Sequence, residues 1–356
     1  MNSSFPKNML YIGRIMQPIR LGVIGAGLIW LRRHQATLAT LQDAFVPVAF
    51  ADPSEERRAQ AAEMFPDAVI VNDYLELLAL PQVDVVLVLT PIVLNAPVAT
   101  AALDAGKDVI MEKPIARSVA EAAQLLTRAQ TAGRQLFVLE QMGYRRVEDI
   151  LAETIASGAI GDLVMWERVE HVEGDKVLGP MSFASTPWRK EANFPLGTLF
   201  DGGIHVIASL TKVYGRPERV SATGKKLREG YGEFDHVAML FHYANGSTGI
   251  LSHSSYLSPD QNHYTVYGSA GTIVVEAQQL IVKQSGEEAR KIALPTEDAN
   301  VNMWHALAAA FHEGRAPFYS GAKAMQDVLI LEKVDRAVHE NQVIQLTEAD
   351  LLGHRV

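Results

Sequence analysis

Three residues of this chain are of types that move protons or hold developing charge: Lys113, Asp201 and His205. Lys113 lies in the run Glu112-Lys113-Pro114, directly after a short apolar segment. A partly desolvated ammonium can have its pKa lowered toward about 7 to 8 and then serve as an acid or a base. Taken alone, such a lysine is more often an ordinary surface residue. Asp201 and His205 are four residues apart, so they share one face if the segment through Tyr214 is helical, as its apolar spacing suggests. A lone histidine on such a face is more often a satisfied core residue. A different chemistry is suggested by Gly25-Ala26-Gly27, which follows an apolar run and precedes a helical pattern from Leu28 and Ile29 onward. The first glycine permits a tight turn, the second lets backbone approach a pyrophosphate, and the helix N-terminus favours that charge. Trp30 stands where a third glycine would complete the pattern, so the helix is expected to start late or to tilt from the sheet.

These groups need a scaffold that brings them to one edge. Short runs rich in Val, Ile and Leu at Ile19 to Ile24, Val46 to Ala51, Val69 to Val71, Val83 to Leu89, Val109 to Met111 and Leu136 to Leu139 alternate with amphipathic stretches. That alternation predicts a parallel sheet covered by helices on both faces. Thr90-Pro91 and Glu112-Lys113-Pro114 then fall at the carboxyl ends of strands, the edge where open α/β sheets bind ligands. Asp52 closes the second strand and can accept from ribose hydroxyls, which favours NAD over NADP; it can equally cap the helix that follows. Arg57 and Arg58 lie one turn on and could receive a 2′-phosphate, so NADP stays open. Ser118 with Glu121 has capping-box spacing and Gly133 is a helix stop, predicting a helix from Val119 to Ala132.

Beyond Tyr144 the pattern changes. A helix from Val147 to Ser157, a strand from Leu163 to His171 and a long polar loop to Leu199 precede several strands between Val220 and Lys283. Asn245-Gly246 there suits a hairpin turn. A last helix is expected from Met325 to Glu340. The expected organisation is an extension over 1–18, a dinucleotide-binding domain over 19–143, and a substrate-binding and oligomerisation domain over 144–356.

Composition narrows the partners. The chain has 356 residues, long enough for two cores, and its net charge of -9 comes without a basic run. Nucleic acid and anionic membrane surfaces are therefore poor fits. With no cysteine, disulfides, thiolate metal sites and cysteine nucleophiles are excluded. The pairs His236 and His242, and His253 and His263, lack ligand spacing, so no metal is expected. No Gly-x-Ser-x-Gly elbow is present. No apolar run reaches the length of a bilayer span, and a cytoplasmic location is expected.

The run from Ala105-Gly106-Lys107-Asp108-Val109 into Glu112-Lys113-Pro114, with Ser157-Gly158-Ala159-Ile160-Gly161, Trp188-Arg189 and Asp201-Gly202-Gly203-Ile204-His205, resembles the Gfo/Idh/MocA oxidoreductase family over residues 19 to 346. The resemblance implies a Rossmann domain followed by an α/β domain with a large, mostly antiparallel open sheet, a homodimer or homotetramer through that sheet, and a cis Lys113-Pro114 peptide aiming the lysine at the substrate. It implies an NAD(P)-dependent dehydrogenase or reductase acting on a carbinol carbon of a sugar, inositol or sugar acid. Lys113, Asp201 and His205 would be catalytic, and the division of proton transfer between Lys113 and His205 stays open. Gly25, Gly27, Leu28, Ile29, Asp52, Thr90, Pro91, Asn95, Glu112 and Lys113 would hold the cofactor. Tyr144, Arg145, His171, Trp188, Arg189 and His263 are candidate pocket walls beside Asp201 and His205, the arginines suiting a carboxylate or phosphate.

The chain departs from the family pattern at Ile92 and Asn95, where Asn and His are common, and at Ala208, where an aspartate often accompanies the histidine. Phe194-Pro195-Leu196-Gly197 replaces a glycine run. The departures at Asn95 and Ala208 keep open a nucleotide- or sugar-sensing regulator without turnover, and redox chemistry next to a leaving group keeps open a redox-neutral lyase or glycosidase that recycles NAD.

Overall fold

The computed structural model describes residues 17–191, 196–197 and 199–352. Its first sheet holds six parallel strands, β1 (Ile19–Ile24), β2 (Phe45–Ala51), β3 (Val69–Val71), β4 (Val85–Val88), β5 (Asp108–Glu112) and β6 (Leu136–Leu139), in the order β3-β2-β1-β4-β5-β6. The order reverses beside β1, which opens a crevice at the strands' carboxyl ends. The two-sided apolar runs read from sequence correspond to strands such as β4, buried at every residue. Ser118 Oγ accepts from the Glu121 amide at 3.1 Å and Gly133 takes the left-handed conformation, so the helix Val119–Ala132 has the expected bounds. The Glu121 carboxylate reaches one residue further back than a capping box would, accepting from the Arg117 amide at 2.8 Å.

The second sheet has nine strands: β7 (Leu163–His171), β8 (Arg219–Lys225), β9 (His236–His242), β10 (Thr248–Ser254), β11 (Gln261–Gly268), β12 (Gly271–Val275), β13 (Gln279–Gln284), β14 (Arg290–Ala293) and β15 (Ile344–Gln345). Their order is β14-β13-β12-β11-β7-β10-β9-β8-β15, antiparallel except for the β7–β10 pair. Asn245-Gly246 turns the β9–β10 hairpin, with Gly246 at φ 83° and the Asn245 side chain accepting from the Ser247 amide. One face of this sheet packs against the helices Ile204–Tyr214 and Gly321–Glu340 through residues such as Trp166, Val237, Leu251 and Val266.

Two features differ from the sequence reading. The last long helix begins at Gly321, four residues before Met325, capped by Ser320. A further helix, Ala299–Glu313, returns to the first sheet: Met303, Trp304 and Leu307 join the cluster around Leu21, Val23 and Phe45. The chain beyond residue 144 thus contributes to the wall of the dinucleotide-binding half.

Candidate active site

Five strand ends supply the site. Gly25 to Gly27 follow β1, Asp52 follows β2, Thr90 and Pro91 follow β4, Lys113 follows β5 and Glu140 follows β6. Gly25, at φ 94°, brings backbone so close to β4 that a Cβ would lie 2.7 Å from the Leu89 carbonyl oxygen. A Cβ on Gly27 would meet nothing within 4 Å, because this residue faces open space. That space is a groove of about 710 Å³ whose walls include Gly27, Leu28, Ile29, Thr90, Pro91, Glu112, Lys113, Trp188, Arg189, Asp201 and His205.

Trp30 does not delay the helix. A wide π-helical turn spans Trp30–His34, with the Gln35 amide bonded to the Trp30 carbonyl, and the indole is fully buried beside Phe50 and Phe65 at ring distances of 5.2 and 5.9 Å. Such turns insert one extra residue and recur at functional sites. Here the turn carries His34 inward, where Nε2 meets Glu112 Oε1 at 2.8 Å while Nδ1 accepts from the Trp304 indole at 3.4 Å. Burial works against a charge on Glu112, but the His34 hydrogen bond and the neighbouring positive groups outweigh it and lower its pKa. Glu112 Oε2 accepts from the Lys113 amide at 3.1 Å, so this chain of contacts fixes the backbone from which the lysine projects.

Asp52 has a structural task in the glycine loop. One carboxylate oxygen accepts from the Ala26 amide at 2.8 Å and the other from the Ser54 amide at 2.9 Å. The helix Glu55–Met64 is capped by Ser54, not by Asp52. Arg58 is tied to the carbonyls of Asp52 and Pro53 and to the Asn72 side chain. Arg57, by contrast, borders the groove, and its guanidinium makes no hydrogen bond or ion pair with the described residues.

A second π-helical turn, Leu199–Gly203, delivers Asp201, and the α-helix Ile204–Tyr214 begins directly after it with His205 near its start. Lys113 Nζ donates to the Asp201 carbonyl oxygen at 2.8 Å and to Oδ1 at 2.9 Å, while Arg189 Nε donates to Oδ2 at 2.5 Å. Burial alone would raise the Asp201 pKa, yet the two cations hold it well below the usual carboxylate range. Arg189 is itself stacked on Trp188, with its guanidinium carbon 4.0 Å from the ring centroid.

His205 is held from behind. Its Nδ1 lies 2.8 Å from both oxygens of Glu140, a fully buried carboxylate that also accepts from the Met142 amide at 3.0 Å. A carboxylate can only accept, so Nδ1 carries a proton, and in the neutral tautomer this fixes, the lone pair lies on Nε2. Glu140 was not among the residues singled out from sequence. Ala208, the departure noted above, is buried in the core, and the histidine's anchor comes from β6 instead. The available signal was position: Glu140 closes a strand at the same sheet edge as Lys113.

Several sequence candidates lie elsewhere. Asn95 is fully buried, accepting from Thr90 Oγ1 and donating to the carbonyls of Glu112 and Pro114, so it braces the groove wall from behind. Tyr144 is partly buried against the core, with its hydroxyl accepting from the Tyr319 amide and its pKa pushed up to about 12 by burial. Arg145 pairs with Glu148 beyond the groove. His171 shares Ser252 Oγ with His236 on the outer face of the nine-stranded sheet, and His263 is exposed on β11. Lys113-Pro114 is cis. Phe194 and Pro195 lie outside the described residues.

The sequence carries two matches that overlay this architecture: an oxidoreductase-family model with an NAD-binding Rossmann fold over residues 19–140, and a GFO/IDH/MocA C-terminal-domain model over residues 150–274. The chain belongs to the GFO/IDH/MocA oxidoreductase family. Members similar to it include the trans-1,2-dihydrobenzene-1,2-diol dehydrogenase of Macaca fascicularis, 28% identical over 94% of both chains. The scyllo-inositol 2-dehydrogenase (NADP(+)) of Bacillus subtilis is 24% identical over 73% of this chain and 70% of its own. Among solved structures, an oxidoreductase from Thermotoga maritima has a TM-score of 0.85 at 25% identity, covering 92% of this chain and 98% of that one. This GFO/IDH/MocA chain therefore carries an NAD-binding Rossmann domain. The open space at Gly27 and the helix N-terminus beyond it fit a dinucleotide pyrophosphate. No helix among the described residues is long and apolar enough to cross a membrane.

Proposed function

We propose that this protein is an NAD(P)-dependent dehydrogenase that oxidises a ring carbinol of a sugar, inositol or related cyclic diol, or reduces the corresponding ketone. The observation that carries the reading is the convergence, on the glycine-loop groove, of a histidine oriented by a buried carboxylate and a lysine fixed by an aspartate. A bound nicotinamide ring would supply or accept the hydride. The His205 Nε2 lone pair takes the hydroxyl proton, and Glu140 stabilises the imidazolium that results. Lys113 commits two N–H groups to Asp201 and keeps a third for the substrate oxygen, where it stabilises developing negative charge. Asp201 has both oxygens occupied by Lys113 and Arg189, so it acts as a positioning residue. In this division of labour His205 is the base and Lys113 the donor.

Gly25, Gly27, Leu28, Ile29, Thr90, Pro91 and Glu112 would border the cofactor, with Asp52 shaping the loop, and Arg57 is the group suited to a 2′-phosphate. The outer face of the nine-stranded sheet, with Ile250 exposed among Met165, Val169, Leu240 and Tyr267, is the surface through which copies would associate. The test is reduced-cofactor absorbance with NAD or NADP and a panel of cyclic polyols and diols: formation that depends on the polyol supports the reading. Binding of the dinucleotide with no turnover on any member would favour a sensor instead.

A further inference from the structure

The groove does not end at the catalytic residues. At Arg33, Arg189, Asp201 and Gly202 it opens into an outer lobe of about 750 Å³, whose remaining wall comes largely from one segment, residues 172–184. Val177, Leu178 and Met181 of that segment are 64, 65 and 52% exposed, an apolar concentration that a solvent-facing loop does not need. Phe183 and Pro180 continue the apolar surface inward to the seam with the inner lobe.

The polar side chains that the 172–184 wall contributes, and Arg189 opposite them, are already paired. Asp175 is paired with Arg228 at 2.5 Å, Arg189 with Asp201, and the Ser182 hydroxyl with the Val177 carbonyl. Arg32 donates to the Met181 carbonyl at 2.9 Å and stacks on Phe183. A sugar hydroxyl placed against the 172–184 wall would lose water without gaining comparable partners, which costs free energy, whereas an apolar group there removes exposed hydrocarbon from water. The inner lobe and the seam differ: His205 Nε2, the third Lys113 N–H and the Arg33 guanidinium have no partner among the described residues.

We propose that the substrate is amphipathic, with a hydroxylated ring whose carbinol meets Lys113 and His205 and an apolar body, on the scale of one aromatic ring, lodged in the outer lobe. This rests on the reading of the inner lobe given above. The two ideas are separable because binding reports on the outer lobe and turnover on the inner one. Full-length protein saturated with NADH, and separately with NADPH, is titrated calorimetrically with methyl and with phenyl β-D-glucopyranoside. The phenyl probe is expected to bind about tenfold more tightly or better, the scale at which a modest apolar contact discriminates. Leu178→Asp and Met181→Asp, both at exposed positions that leave the core untouched, should bring the ratio of the two affinities toward one. Equal affinities in the unaltered protein, no binding of the phenyl probe, or a phenyl preference that neither substitution reduces would each overturn the proposal. The catalytic reading fails by a different result, the absence of polyol-dependent NAD(P)H from the whole panel.

Discussion

Glu140→Gln is the substitution that separates orientation of His205 from simple presence of the ring. Glutamine has nearly the volume of glutamate and can still accept from the Met142 amide, now 3.0 Å from Oε1. It replaces a buried carboxylate, 2.8 Å from Nδ1 through both oxygens, by a neutral amide. A hydrogen bond to a charged group contributes about 1.5 to 3 kcal/mol. That contribution matters most when the ring carries the substrate's proton, because only then do opposite charges face each other. At about 1.4 kcal/mol per decade of rate, kcat should fall about 10- to 150-fold. Dinucleotide affinity should be unchanged, since Glu140 does not border the groove. The assay is steady-state NAD(P)H formation with a saturating polyol, with cofactor affinity by calorimetry and the melting temperature of both proteins as the check on folding. A folded variant with unaltered kcat would refute the assignment of His205 as the base.

Lys113→Ala removes the substrate-facing donor and leaves Asp201 with Arg189 alone; kcat should drop on the order of 10²- to 10⁴-fold while the cofactor dissociation constant changes little. Arg57→Ala should weaken NADP binding about tenfold or more and leave NAD unaffected, as read by paired calorimetric titrations, because its uncommitted guanidinium suits only the cofactor that carries the extra phosphate. Asp327 accepts from Tyr319 and Thr211 in the core, and burial pushes its pKa up to about 7. An acid whose pKa is raised from about 3.9 binds its proton more tightly in the native state, so its contribution is fully present below about 4 and is lost as pH rises toward 7. The melting temperature of Asp327→Asn, measured from pH 4 to 8 on the principle that an amide does not titrate there, should gain on that of the unaltered protein through this window and run parallel above it.

The dinucleotide half was legible because its strands are buried on both faces, so each reads as an unbroken apolar run between turn residues, as at Val85–Val88. The helix Val119–Ala132 was bounded by local chemistry at Ser118 and Gly133. Lys113, Asp201 and His205 meet in one groove, as spacing and resemblance together implied. What escaped was set by tertiary contact. His34 reaches Glu112 only because a π turn shifts the helix register after Trp30, and no periodicity signals that shift. Glu140 carries no sequence signal beyond its place after β6, and its role comes only from the folded chain setting His205 Nδ1 2.8 Å from it. Tyr144 and His171 carry suitable functional groups, yet the core and the far face of a sheet claim them, and side-chain type alone cannot report which face a residue takes.

The most direct test of the central claim compares, in one reaction, the carbinol oxidised and the NAD(P)H formed by purified protein on its best polyol, alongside His205→Ala. The account predicts one reduced cofactor for each ketone produced, and loss of both signals together in the variant. Product appearing without accumulation of NAD(P)H, or undiminished turnover in His205→Ala, would contradict it.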